Sequence, residues 1–297
     1  MDRMDMQRVD RPAEAEVIFL NGGATMTECW RSGFRRLYDY GSRYPDTPVV
    51  VLPSSFDIRQ TDFPALLRRR RARTLLIARD RRSLRCLEAM VLPPVCELAL
   101  SDDAAFELAG SRLIREWKAE SKEKHVLVVI RGDREGLASE AGSGYDKAPF
   151  RPLPWWRRPR HFVRHVVLPR LVSRRDRQEG PAVDLNAALA VDGTADLIRL
   201  VPRHSAELSG LGCPVVSLDV SDPRAYSFET FCRLIAEAKA VVTTRLHVGV
   251  FSALLEKQTV MVGQSYGKLE GIYERSMQTM GHVSLIDHEA SRREKEE

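Results

Sequence analysis

Short apolar runs separated by stretches of helical length recur along this chain, and that alternation limits what it can fold into. "EVIFL" (16–20), "PVVVLP" (48–53), "TLLIA" (74–78) and "VCELAL" (95–100) read as buried strands, with helical spacing over 27–42, 61–71 and 81–90 between them. Strands joined by helices cross over with one hand, so they build a parallel, doubly wound sheet. A longer helix expected over 104–122, "AAFELAGSRLIREWKAESK", ends in charge and places a domain boundary near residue 120. The alternation then restarts. "HVLVVIRGD" (125–133), "DLIRLVP" (196–202), "PVVSLDV" (214–220), "AVVTT" (240–244), "TVMVGQ" (259–264) and "VSLID" (283–287) read as further strands. A helix is expected over 227–240, with Ser227 as its N-cap. The expected fold class is α/β, with two Rossmann-like domains at 1–120 and 121–297. Such folds bind ligands at the carboxyl ends of their strands.

Composition excludes several classes. No run approaches the length that spans a bilayer, and the polar, acid-bearing start is neither a signal nor a transit peptide. The five cysteines are scattered without a C-x-x-C pair, which argues against a disulfide framework or a zinc site and fits a reducing cytoplasm. The net charge of +5 is uneven: residues 145–177 hold ten Lys/Arg against Asp146 and Asp176, so the remainder is net negative.

That basic segment lies in the one stretch, 139–180, without a clear period. It carries Trp155, Trp156 and Phe162, and apolar residues alternate with basic ones in "HFVRHVVLPRLV". The pattern suits an anionic membrane surface, which would make the protein peripheral at the inner face of the plasma membrane; a solvated basic loop is the plainer reading. Nucleic acid is a poorer partner, because basic and aromatic composition alone does not make a groove reader.

Chemistry concentrates where "AVVTT" hands over to a helix. Arg245 and His247 sit at a strand end and in the first turn of the next helix, where backbone N–H groups converge and favour an anion. The helix continues "VGVFSALLE", apolar on most faces, so cations at its entrance call for an anionic partner. The plainer alternative is an Arg245 paired with a neighbouring carboxylate and a His247 satisfied in the core. The next strand closes on "GQSYGKLEG" with the same logic: Ser265 offers a donor, Gly267 permits close approach, and Lys268 places a charge at a helix start. Arg131, in "RGDRE", is either a third cation or part of an exposed turn. Asp102 and Asp103 lack the context of a metal pair and read as solvated or capping acids, so no metal is expected.

These residues resemble a family. "TTRLHVGVFSALLEKQTVMVGQSYGKLEGIYE" (243–274) is similar to the C-terminal signature of the polysaccharide pyruvyl transferases, and the exopolysaccharide subset is the closer match. "IFLNGGATMTECW", "VVVLPSSF", "LLIARDRRSL", "LALSDDAAFEL" and "LVVIRGDREG" resemble further blocks of that family, in the same order. The resemblance implies a glycosyltransferase-B-like pair of domains facing across a cleft. It also implies transfer of pyruvate from phosphoenolpyruvate to two hydroxyls of one sugar, giving a cyclic ketal without a cofactor. On that basis His247 is the general acid/base, and Arg131, Arg245, Ser265, Tyr266 and Lys268 bind the donor. Asn21, Gly22, Gly23 and Glu28 form an acceptor-side loop, and the acceptor is a saccharide, lipid-linked if the basic segment meets a membrane. Two features depart from the family pattern. The strand-loop unit that usually precedes the Gly-rich loop is not found ahead of it, so the expectation is either a start further upstream or a first domain trimmed at its N-terminus, and Glu28 stands a residue away from the usual acid. A sugar-nucleotide glycosyltransferase of the same architecture, or a non-catalytic member, are the alternative readings.

Overall fold

The computed structural model describes residues 9, 12–28, 30–130, 193–219, 226–263 and 267–286. They form two compact units that divide between Ala104 and Ala105, earlier in the chain than residue 120. Among them, no helix is long and apolar enough to cross a membrane.

In the first unit, β1 (Ile18–Leu20) and β2 (Gly23–Thr27) both pair in parallel with the long β3 (Val49–Asp57), followed by β4 (Thr74–Ala78) and β5 (Cys96–Leu100). The strands follow sequence order across the sheet, so each right-handed crossover steps the same way. That puts α1 (Ser32–Arg43), α2 (Phe63–Leu67) and α3 (Arg81–Glu88) on one face. One apolar cluster results. Phe34, Leu37, Phe63 and Leu67 from the helices meet Val49, Val51, Phe56 and Leu76 from the strands, and Phe34 and Phe56 set their edges against Phe63 at 5.9 and 6.1 Å. Fully burying one such phenyl stabilises by about 1.5–3 kcal/mol.

Two sequence expectations change here. The stretch read as a Gly-rich loop is in part the strand β2. Gly22 must be glycine because a Cβ would stand 2.3 Å from the Pro53 carbonyl oxygen, and Gly23 has φ 103°. The helix expected over 104–122 is two pieces, a 3₁₀ turn at Ala104–Leu108 and α4 (Arg112–Ala119). Gly110, at φ 70°, breaks the run, and Ser111 caps the new start by accepting from Ile114 N–H.

The second unit orders its strands β10-β9-β8-β6-β7: β6 is His125–Val129, β7 Val215–Ser217, β8 Ala238–Thr243, β9 Gln258–Val262 and β10 Val283–Ile286. The chain runs from β6 outward to β7, then returns to β8 on the other side of β6. Because the winding reverses, both faces are covered. Leu127, Val129 and Val241 pack beneath one set of helices, and Val126, Val128 and Val242 beneath another. The first set is α4, α7 (Phe228–Ala236) and α8 (Leu246–Leu254); the second is α5 (Thr194–Leu200) and α6 (Ser205–Ser209). Helix α5 corrects the strand expected at 196–202. Its buried residues Leu197 and Leu200 lie three apart, and with the buried C-cap residue Val201 they make one stripe.

His125 opens β6 fully buried. Its Nε2 lies 3.0 Å from the Leu234 carbonyl oxygen, and Nδ1 has no hydrogen-bond partner. Burial holds its pKa below the ordinary 6.5; Lys124 and Lys257 push the same way, while the Leu234 contact and Glu237 oppose. The folded state therefore binds fewer protons here than the unfolded chain. The resulting stabilisation is full above about pH 6.5 and is lost as pH falls toward the lower folded value. Urea midpoints of the wild type should drop on acidification below that pH, and His125→Gln, which retains a donor for Leu234, should flatten this part of the slope. Equal slopes would remove His125 as the cause.

Candidate active site

The site grows from the carboxyl edge of the second sheet. β6 has β7 on one side and β8 on the other, so its carboxyl end is the point where the winding reverses, the crevice where open α/β sheets take ligands. β8 ends at Thr243, whose hydroxyl donates to the Val129 carbonyl (3.1 Å) and accepts from Arg245 N–H (2.8 Å). That clamp ties the end of β8 to β6 and starts α8 with Arg245 as N-cap residue, in extended backbone with no side-chain cap.

The Arg245 side chain turns toward the loop after β7. Its Nε donates to Asp219 Oδ1 at 3.2 Å, and its Nη2 pairs with Asp219 Oδ2. The two residues thus bridge the carboxyl ends of β7 and β8 across the end of β6. This is the carboxylate pairing that the sequence left open as the plainer reading of Arg245. The sequence missed Asp219 itself, although an acid closing the apolar run "PVVSLDV" is a signal of the right kind.

His247 is the exception on its helix. Every other residue of α8 is buried, whereas His247 is exposed. It is therefore not a core histidine. Its imidazole borders a cavity of about 300 Å³, otherwise walled mainly by Ala105, Leu108, Phe228, Phe231, Val250, Phe251 and Leu254. Phe228 and Phe231 stack at 6.0 Å, and Phe231 leans on Phe251 at 5.5 Å. Ser227 and Tyr226 add hydroxyls to the lining; Ser227 also caps α7, accepting from Thr230 N–H at 3.1 Å, as the sequence predicts. Among the described residues, the cavity wall holds no carboxylate, Lys or Arg.

Lys268 opens α9 (Lys268–Ile272) after Gly267, which takes the left-handed φ of 69° that favours glycine. It is buried. β8 and β9 are adjacent and parallel, so the turns carrying Arg245 and Lys268 leave the same edge of the sheet. Glu270 fills the space beside Gly263, where a Cβ would lie 2.2 Å from its Oε1. Arg131, Ser265 and Tyr266, together with Trp155, Trp156 and Phe162, lie outside the described residues.

In the first unit, Asn21 is exposed and Glu28 is not. The Glu28 carboxylate accepts from Thr61 N–H (2.8 Å) and Gln60 N–H (3.1 Å). Its other oxygen faces Arg31 Nη2 at 2.9 Å, an ion pair off the line of a hydrogen bond. Burial alone would raise its pKa, but the nearby Thr61 hydroxyl, these backbone donors and Arg31 together hold it below the usual carboxylate range. Glu28 thus clasps the 60–61 turn as a carboxylate. Asp103 is likewise not a solvated acid: it pairs with Arg79 Nη1 inside the unit.

These features define a parallel α/β protein whose edge at the winding reversal carries Arg245, paired with Asp219, and the exposed His247. Residues 195–266 match the family model of the polysaccharide pyruvyl transferases, the family whose signature the sequence resembles. The match takes in Asp219, Arg245 and His247. The family is one of transferases. The chain also resembles the crystal structure of a functionally uncharacterized protein from Klebsiella pneumoniae, with a TM-score of 0.50 at 15% identity over 91% of this chain and 75% of that one; at that identity the likeness concerns the fold alone. No curated protein matches the sequence.

Proposed function

We propose that the protein transfers pyruvate from phosphoenolpyruvate to two hydroxyls of one sugar, in an exopolysaccharide or its lipid-linked precursor, forming a cyclic ketal and releasing phosphate. The observation that carries this is His247: a single exposed imidazole on a buried helix, two residues after the arginine that starts it. In the proposed reaction the imidazolium protonates the methylene carbon, which becomes a methyl group, and the neighbouring carbon becomes oxocarbenium-like. One hydroxyl attacks that carbon and gives up its proton. Phosphate then leaves, and the second hydroxyl attacks the same carbon and closes the ketal, its proton passing to the departing phosphate. Imidazole is suited to both giving and taking these protons near neutral pH.

Arg245 and Lys268 would hold the carboxylate and the leaving phosphate, as fixed charges at a strand edge favour an anion that develops there. The apolar walls beside His247 would keep water from the cationic carbon, whose hydrolysis would give free pyruvate. A glycosyltransferase-B-like division of labour, with acceptor on the first unit and donor on the second, belongs to the same proposal. Incubating the full chain with phosphoenolpyruvate and a lipid-linked oligosaccharide extract should release inorganic phosphate only when both are present. No release, together with binding of a nucleotide sugar in preference to phosphoenolpyruvate, would overturn the reading in favour of a glycosyltransferase.

A further inference from the structure

We infer that Asp219 is a positioning residue for the donor anion, acting through Arg245. The inference rests on the reading of Arg245 as a donor-binding cation. Arginine presents two forks: a side edge made by Nε and one terminal nitrogen, and an end edge made by the two terminal nitrogens. Asp219 takes the side edge, through Nε and Nη2. An anion gripped by the end edge is therefore compatible with Asp219 staying in place. The backbone of Arg245 is fixed independently, by the Thr243 hydroxyl. Together the two contacts fix the start of a long side chain and orient its head.

The location gives the pair its purpose. Asp219 follows β7 and Arg245 follows β8, so their link crosses the end of β6, where the winding reverses and ligands of such sheets bind. A carboxylate there carries a cost for an anionic ligand, since it offsets the charge of Arg245. Orientation outweighs that charge if Asp219 positions the guanidinium; charge outweighs orientation if Asp219 merely occupies it. The two cases predict opposite signs for one substitution.

The experiment measures phosphoenolpyruvate binding by calorimetry and steady-state kinetics on the full chain, for wild type, Asp219→Asn, Asp219→Glu and Arg245→Lys. The pair is partly exposed, and such pairs contribute little to stability, so all four proteins are expected to fold. Asp219→Asn should weaken phosphoenolpyruvate binding about tenfold and raise its KM more than it lowers kcat, because orientation of the bound anion is lost. Asp219→Glu, which keeps the charge on a longer arm, should recover part of the affinity. Arg245→Lys should weaken binding at least as much as Asp219→Asn, because an ammonium cannot reproduce the fork. Unchanged or tighter binding in Asp219→Asn overturns the positioning role. If Arg245→Lys weakens binding in that case, the role of Arg245 stands without Asp219; if Arg245→Lys also leaves binding unchanged, the donor role of Arg245 falls as well.

Discussion

Replacing His247 with Asn is expected to leave phosphoenolpyruvate binding within about tenfold of wild type while lowering turnover at least about a hundredfold, the usual scale for removing a general acid. Asparagine keeps a polar group of similar reach but cannot carry a proton to the methylene carbon. The separation of the two effects follows from the placement of the charges. Arg245 starts the helix and Lys268 opens the next turn along the same edge, whereas His247 faces an apolar cavity. Single-turnover phosphate release measures the chemical step, and calorimetry measures donor affinity in the same variant. Near-normal turnover in a folded His247→Asn protein would remove the imidazole from the mechanism and leave the edge as a binding site only.

Local chemistry made much of this legible from the sequence. β4 occupies the predicted stretch Thr74–Ala78, and the helix at Phe228–Ala236 begins after the predicted Ser227 cap, because an apolar run between breakers and a capping serine act over a few residues. "DLIRLVP" misled because four apolar residues in so short a run fit a strand or a helix; packing against the sheet chose the helix. The helix expected over 104–122 failed at a single residue, Gly110, whose left-handed backbone ends a turn that side-chain periodicity would have continued.

The site was half legible for a related reason. The position of Arg245 and His247 at a strand-to-helix junction follows from their immediate neighbours. The partner of Arg245 is 26 residues earlier in the chain, and nothing local announces it. Glu28 shows the converse. Its neighbourhood in sequence marked it as a candidate acid, but its carboxylate is taken up by backbone donors more than thirty residues away.

The same long-range logic sets the largest stability effect. Arg79 ends β4 with no exposure to solvent, a full positive charge beside the core of the first unit. Its Nη1 pairs with Asp103, its Nε donates to Ser55 Oγ at 2.9 Å, and its Nη2 has no hydrogen-bond partner. Ser55 also donates to Asp80 Oδ2 at 3.3 Å. Asp80 caps α3 by accepting from Ser83 N–H at 2.7 Å, and Ser83 Oγ accepts from Phe56 N–H at 2.9 Å. One buried cation thereby ties the ends of β3 and β4 to the start of α3. Removing Asp103 leaves that cation uncompensated in a low-dielectric interior, so Asp103→Ala is expected to destabilise the first unit by about 3–5 kcal/mol. The double variant Arg79→Met with Asp103→Ala removes the charge together with its partner. It should recover much of that loss despite leaving Ser55 without a donor, because apolar replacement of a buried pair is often close to neutral. Urea unfolding of the two single variants and the double variant closes a cycle whose coupling energy should exceed about 1 kcal/mol. A loss below about 1 kcal/mol in Asp103→Ala would mean that water reaches Arg79 when its partner is gone, and that the charge never depended on Asp103.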